Sequence, residues 1–244
     1  MDRRKFLKTC SVLSGTACAG GLPLLTGCSQ TDARERSPLK GRKWGMVIDL
    51  NKCLPDCNRC ADACRKENNV AYFGDERYDI HWIRKVRIKE KDSHDGVEKP
   101  MLLLCNHCEN PPCAQVCPVQ ATYKREDGIV IVDHHRCIGC RYCMIACPYN
   151  ERAFNFKENP DWPNTERPKR SHGVTESCHF CAHRLDQGMT PACVEACASV
   201  GANAIKVGNL NDPNDEVSTL IATHPVKRLR EDLGTEPKVH YIGL

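Results

Sequence analysis

Trp44-Gly45-Met46-Val47-Ile48-Asp49 is a short apolar run that reads as a strand. Between Val70 and Leu104, Trp82, Val86 and Ile88 alternate with polar neighbours such as Lys85 and Arg87, the period of a half-buried strand. Met101–Leu104 is its apolar return after a turn at Asp92–Gly96. Ala121 to Asp133 has the form of a hairpin: Thr122–Arg125 runs out, Glu126-Asp127-Gly128 turns, and Ile129–Val132 comes back. Ala204–Val207 is a further short strand. Helical signals are brief: one continues through Arg65-Lys66-Glu67, and one opens on Asp212-Pro213 as cap and first position and runs through Leu220. Residues 157–177 hold Pro160, Pro163, Pro168 and many charges, which predicts an exposed connection. The tail after Arg230 is expected along the surface, with Val239–Ile242 as an edge strand.

Cysteine changes this picture of small strands and short helices. The 244 residues contain 19 cysteines, and setting aside Cys10, Cys18 and Cys28 leaves sixteen in four groups of four. Cys137-Ile-Gly-Cys140-Arg-Tyr-Cys143-Met-Ile-Ala-Cys147-Pro148 is the bacterial ferredoxin run for a 4Fe–4S cluster. Three thiolates on one tight loop reach three corners of a cube, with Gly139 allowing close backbone approach. The fourth, a helical turn later, points away and in two-cluster ferredoxins ligates the other cluster. The second group is Cys105, Cys108, Cys113 and Cys117, its wider gap filled by Asn110-Pro111-Pro112. The first is Cys53, Cys57, Cys60 and Cys64, with one extra residue within Leu54-Pro55-Asp56 that widens the loop. The fourth is Cys178, Cys181, Cys193 and Cys197, with eleven residues in its long gap. A disulfide framework needs no such clustering, and zinc knuckles come as separated pairs without a displaced fourth cysteine. Both fit this spacing poorly.

The second and third groups both end in Cys-Pro and are separated only by the hairpin. They therefore pair, each lending its last cysteine to the other, and the first pairs with the fourth by exclusion. One inner cluster is expected on Cys105, Cys108, Cys113 and Cys147, and its partner on Cys137, Cys140, Cys143 and Cys117. Outside them, Cys53, Cys57, Cys60 and Cys197 hold one cluster, and Cys178, Cys181, Cys193 and Cys64 the other. The fold class expected is α+β, two bacterial-ferredoxin-like modules with one inserted in the other, joined by short helices, hairpins and long loops. Residues 105–156 make the inner module, and residues 44–104 with 157–244 make the outer one.

Residues 1–28 read as an export leader, since Arg3-Arg4-Lys5-Phe6-Leu7-Lys8 resembles the twin-arginine signal and a modestly apolar stretch from Thr9 to Gly27 follows. That route carries folded proteins, which suits clusters inserted in a reducing cytoplasm before passage to the periplasm. Leu25-Thr26-Gly27-Cys28 resembles a lipoprotein cleavage box, which makes Cys28 a candidate for lipidation and membrane tethering. Lipidation, ordinary peptidase cleavage and a retained anchor all stay open. Residues 29–43 form a polar linker.

The formal charge is +4, but the leader carries most of that excess and the mature chain is near +1. Four clusters at roughly −2 each would make the holoprotein acidic, so nucleic-acid binding has no electrostatic support. No Gly-rich nucleotide loop, H-E-x-x-H or nucleophile with an evident base is present, so no feature demands catalysis. His107, His134, His135, His179 and His183 sit close to cysteine loops, where they tune a cluster or simply pack. None is needed as a ligand.

The four groups, their order, the long gap in the fourth and the phrase Arg141-Tyr-Cys-Met-Ile-Ala-Cys-Pro-Tyr149 resemble the four-cluster iron–sulfur subunits of membrane respiratory complexes. That family includes electron-transfer subunits of dimethyl sulfoxide, polysulfide, tetrathionate and nitrite reductases. Within it, Trp44–Leu50, Arg65-Lys-Glu-Asn-Asn-Val70 and the leader look most like the periplasmic O subunits of sulfite-reduction-associated Dsr complexes. The resemblance implies four 4Fe–4S clusters, since Cys140 is present where some relatives lack a cysteine. It implies an integral-membrane quinone-reactive subunit and a multi-haem cytochrome c as partners, or a molybdopterin catalytic subunit in the terminal-reductase branch. A stand-alone carrier or redox sensor is the remaining class.

Overall fold

In the computed structural model, which describes residues 39, 41–89 and 98–244, Trp44–Asp49 forms strand β1 at the centre of a four-stranded sheet. On one side it runs antiparallel to β8 (Ile205–Asn209), with Ile48 opposite Ile205. On the other it runs parallel to β10 (Val239–Ile242), with Met46 opposite Val239. Strand β9 (Val226–Lys227) completes the sheet beyond β10. Both faces of β1 are covered, which is why it reads as a near-continuous apolar run. Met46 and Ile48 enter the main core with Tyr241, Val239 and Ile205, whereas Val47 joins Val217 and Ile242 on the opposite side.

Two expectations fail here. Val239–Ile242 is an inner strand, not an edge, and Tyr241 is fully buried with its hydroxyl donating to Leu102 O at 2.9 Å. The tail is therefore core, because β1 needs an apolar neighbour and β9 shields the far side. The helix expected from Asp212 instead spans Glu216–Thr223, α6 in the order below, capped by Asp215. Asp212 Oδ1 accepts from Asn214 N at 2.9 Å and so closes a turn rather than a cap. Asp215 accepts from Val217 N and Asn209 N, both at 2.8 Å, tying the helix start to β8.

The first helix, α1, spans Arg59–Asn68 and ends on Asn69 in the left-handed conformation at φ 52°. Cys60, Cys64 and Asn68 are its buried residues, one helical face at spacings of four. That face packs on α5 (Ala192–Ser199), which buries Cys193 and Cys197 at the same spacing. Strands β2 (Ile83–Ile88) and β3 (Lys99–Leu104) form the antiparallel hairpin expected, its Asp92–Gly96 turn lying outside the described residues. The leader with Cys10, Cys18 and Cys28 lies outside them too.

The central part has α2 (Pro112–Gln115), hairpin β4 (Thr122–Lys124) with β5 (Val130–Val132), and α3 (Tyr142–Ile145) packed on α2. Its two halves repeat: Gln120 N donates to Cys117 O and Asn150 N to Cys147 O, both at 3.2 Å, with positive φ at Gln120 and Asn150. Strand β6 (Ala153–Phe154) pairs with β7 (Thr175–Glu176), and α4 (Ala182–Leu185) follows.

Residues 157–173 are largely the exposed connection expected, but they are tied to α1 at a few points. Asn69 Nδ2 donates to Asn164 O at 2.9 Å, Asn164 Nδ2 to Glu67 O at 3.1 Å, and Asn159 Nδ2 to Asn69 O at 2.8 Å. The segment thus satisfies the carbonyls at the end of α1, which lack partners within the helix. Val174–Ser177 are buried. Among the described residues no helix is long and apolar enough to cross a membrane.

Candidate iron–sulfur centre

All sixteen cysteines among the described residues are free thiols. Residues in the left-handed conformation turn their loops: His107, Gly139 and Phe180 each stand two places after the first cysteine of a group and have φ of 44°, 69° and 52°. Only Gly139 advertises this in the sequence, and a Cβ there would lie 2.3 Å from Gly173 O. The rings of His107 and Phe180 face each other with centroids 3.8 Å apart, so the second and fourth loops meet.

The cysteines gather across groups. Cys53 lies within electrostatic range of Cys57 and Cys197, as does Cys60 of Cys53 and Cys197. Cys64 acts on Cys178 and Cys193, and Cys181 acts on Cys64. Cys113 and Cys147 both act on Cys105 and on Cys108. Cys117, Cys137 and Cys140 do not join these sets; Cys143 acts on Cys113. Further influences run from Cys60 to Cys64 and from Cys105 to Cys178. Cys140 is exposed, Cys53 and Cys57 are half-buried, and Cys64, Cys105, Cys108, Cys178, Cys181 and Cys193 are buried.

Burial pushes the thiols of Cys60 and Cys108 up to about 11, and raises Cys64, Cys105, Cys178 and Cys193 as well. Only a positive centre between them turns such groups into thiolates at neutral pH. At Cys117 burial also raises the thiol, but the backbone N–H groups of Thr122, Val119, Ala121 and Gln120 outweigh it and bring the value below the ordinary one. Ala121 N donates to Cys117 Sγ, and Ala204 N to Cys197 Sγ, each at 3.2 Å. Among the described residues no three His, Cys, Asp or Glu side chains close on a single ion. The donor set fits iron–sulfur clusters: sixteen unbonded thiols on tight loops, with backbone N–H donors approaching the sulfurs of Cys117 and Cys197.

Side chains that the spacing does not reveal complete the site. Lys85 Nζ reaches Leu54 O and, at 2.7 Å, Cys57 O, pinning the widened first loop. Asn68 Nδ2 points at Cys181 Sγ at 3.6 Å and Cys64 Sγ at 3.8 Å. Arg152 Nη2 points at Cys113 Sγ at 3.0 Å. The histidines serve structure: His107 Nδ1 accepts from Val130 N at 3.0 Å, His179 stands edge-on to Trp82, and His183 Nε2 meets Glu67 Oε1 at 2.7 Å. His135 is exposed and His134 half-buried.

Glu151 is buried and paired with Arg84. Burial pushes its carboxyl up to about 7, against the pull of Arg84. The folded value lies above the ordinary 4.5, so the favourable neutral form is fully present below about 4.5 and lost as pH rises through about 7. Glu151→Gln is expected to remove that loss. From about pH 5 to about pH 8 its stability should gain on wild type by on the order of 2 kcal/mol, read by melting at each pH. A gap that shrinks with pH would show Arg84 to dominate.

The fold and donor set define a protein built to hold iron–sulfur clusters, and residues 101–161 match the 4Fe-4S dicluster domain. Over its whole length the chain is 42% identical to the Hdr-like menaquinol oxidoreductase iron-sulfur subunit 1 of Archaeoglobus fulgidus, covering 98% of that protein. It is 36% identical, again over its whole length, to a tetrathionate reductase subunit from Salmonella typhimurium, covering 88% of it. A polysulfide reductase polypeptide from Wolinella succinogenes is 36% identical over 82% of the present sequence and 94% of its own. The protein belongs to the family of iron–sulfur electron-transfer subunits of membrane-associated reductase complexes.

Proposed function

We propose that the protein is a periplasmic subunit relaying single electrons through four 4Fe–4S clusters, between a quinone-reactive membrane subunit and a multi-haem cytochrome c in a Dsr-type complex. The observation that carries the relay is the crossing of the groups. Cys197 stands with the first group and Cys147 with the second, while Cys64 joins the fourth. The ligand sets are Cys53, Cys57, Cys60 and Cys197; Cys64, Cys178, Cys181 and Cys193; Cys105, Cys108, Cys113 and Cys147; and Cys117, Cys137, Cys140 and Cys143. Bound there, the clusters would supply one-electron centres, and the polypeptide itself supplies spacing, insulation and docking faces.

The influences of Cys60 on Cys64, Cys105 on Cys178 and Cys143 on Cys113 support a single row in that order. Its middle sets are buried apart from half-buried Cys147, and its ends carry half-buried Cys53 and Cys57 and exposed Cys140, which suits ends that meet partners. On this reading residues 105–156 are an inner ferredoxin-like module within an outer one, export follows the twin-arginine route, and a lipid at Cys28 adds a tether.

A second reading gives this protein a molybdopterin catalytic partner. Its support is the likeness to subunits named for tetrathionate and polysulfide reductases. Gentle detergent extraction and affinity purification separate the two. Haem c and a polytopic membrane subunit without molybdenum are expected; molybdenum in the complex would select the second reading. A protein recovered alone from the soluble periplasmic fraction would overturn both.

A further inference from the structure

Arg152 is 4% exposed and stands just before β6, beyond the third cysteine loop. Its Nη2 donates to Cys113 Sγ at 3.0 Å, and its Nη1 to Thr122 Oγ1 at 3.4 Å. Among the described residues no carboxylate pairs with it, and the adjacent Glu151 is turned to Arg84. The leading charges that act on it are the sulfurs of Cys113, Cys105, Cys143 and Cys147. A guanidinium buried without a counter-charge is strongly destabilising. Neutral thiols cannot offset that, whereas thiolates around an electron-accepting centre can.

The neighbouring buried set is treated differently. There the contact to sulfur comes from the neutral amide of Asn68, and the nearby Arg170 is opposed by Glu176, whose Oε2 accepts from Trp82 Nε1 at 3.2 Å. Of the two adjacent buried sets, then, one has a guanidinium in direct contact with a sulfur, while in the other Arg170 donates to Asn68 O and faces a carboxyl.

We propose that Arg152 is a positioning residue for electron transfer: its fixed charge beside Cys105, Cys113 and Cys147 stabilises the reduced state at that position and makes it a high-potential step in the row. One electron arrives from the neighbouring reduced centre, which is thereby oxidised by one. No bond forms or breaks and no proton is needed, because the guanidinium stays charged in both states. The inference rests on the ligand sets proposed above.

The test is an EPR-monitored redox titration of the purified holoprotein and of its Arg152→Gln and Arg152→Lys variants, with iron and acid-labile sulfide counted in each. Arg152→Gln should keep its iron. At the wild-type midpoint of one cluster, its reduced-to-oxidised ratio should fall about tenfold or more, while the other clusters hold. Arg152→Lys should restore most of that ratio. Full iron with every midpoint unchanged in Arg152→Gln would overturn the role of Arg152 and leave the ligand sets standing. Wild-type iron too low for four clusters would overturn the ligand sets themselves. If Arg152→Gln fails to assemble, wild-type protein grown on guanidino-15N-arginine carries the test. A 15N coupling to one reduced cluster in pulsed EPR is expected, and its absence would overturn the proposal.

Discussion

Cys143→Ser should purify with about a quarter less iron than wild type and should melt well before it. Cys143 is 7% exposed and lies in α3, which packs on α2. Its buried neighbours are Cys113 and Val130, and this trio is the small apolar cluster of the central part. So little apolar surface cannot hold two short helices and a three-residue hairpin together unaided, and bound metal has to supply the balance. Removing one thiolate opens a corner of the proposed set and leaves a polar hydroxyl where sulfur was buried. The loss belongs with the deletion of a structural metal, more than about 4 kcal/mol. Iron analysis and thermal melting check it together. Full iron with unchanged melting would remove Cys143 from the ligands.

Glu109→Gln is expected to destabilise the fold by about 3–5 kcal/mol at neutral pH. Glu109 gathers three lysines: Lys124 Nζ at 2.6 Å, and Lys43 and Lys238 at 3.1 Å each. Lys43 and Lys124 are about one-third exposed at the side chain, but Lys238 is only 3% exposed and also donates to His107 O and Gly128 O at 2.9 Å. The amide variant leaves that ammonium buried beside like charges. Burial raises the Glu109 carboxyl, yet hydrogen bonds from Lys124, Lys238 and Lys43 outweigh this and hold it at about 2. Its contribution is present above the ordinary 4.5 and lost only as pH falls through about 2. The difference between variant and wild type should therefore stay constant from about pH 6 to about pH 8 in paired melting curves. A difference that vanished across that range would show the lysines to be satisfied by water.

The elements that the sequence announced are those whose information is local. The hairpin around Glu126-Asp127-Gly128 and the strand Trp44–Asp49 carry their own turn residues and apolar runs, and both stand where expected. Val239–Ile242 reads as an edge strand in the sequence because the neighbour that buries it, β1, lies far away along the chain. Nothing in a tail of four mixed residues names its partner. Asp212-Pro213 and Asp215 compete for the same helix start, and the decision rests with Asn209, whose N–H needs the Asp215 carboxylate. Residues 157–173 are mostly exposed as expected, and the asparagine amides that tie them to α1 carry no signature in the sequence.

The site divides in the same way. Cysteine spacing makes the thiols visible, but the side chains that act on the sulfurs are single charged or amide residues. Arg152, Asn68 and Lys85 look like any surface residue until the fold buries or aims them. His107 and Phe180 hold the left-handed conformation that Gly139 holds in the third group, a strain that packing of their rings against each other helps to sustain.

The place of β1 between β8 and β10 bears on the order of events during folding. Both partners of the first strand belong to the last fifth of the chain, and the thiols nearest to Cys53 and Cys64 include Cys197 and Cys181. The first strand and the first cysteine group therefore find partners far along the sequence, while hairpin β4–β5 and the pair α2–α3 find theirs close by. Val239–Ile242 pairs with β1 across most of the length of the described residues, so this long-range contact is expected to close the sheet late in folding.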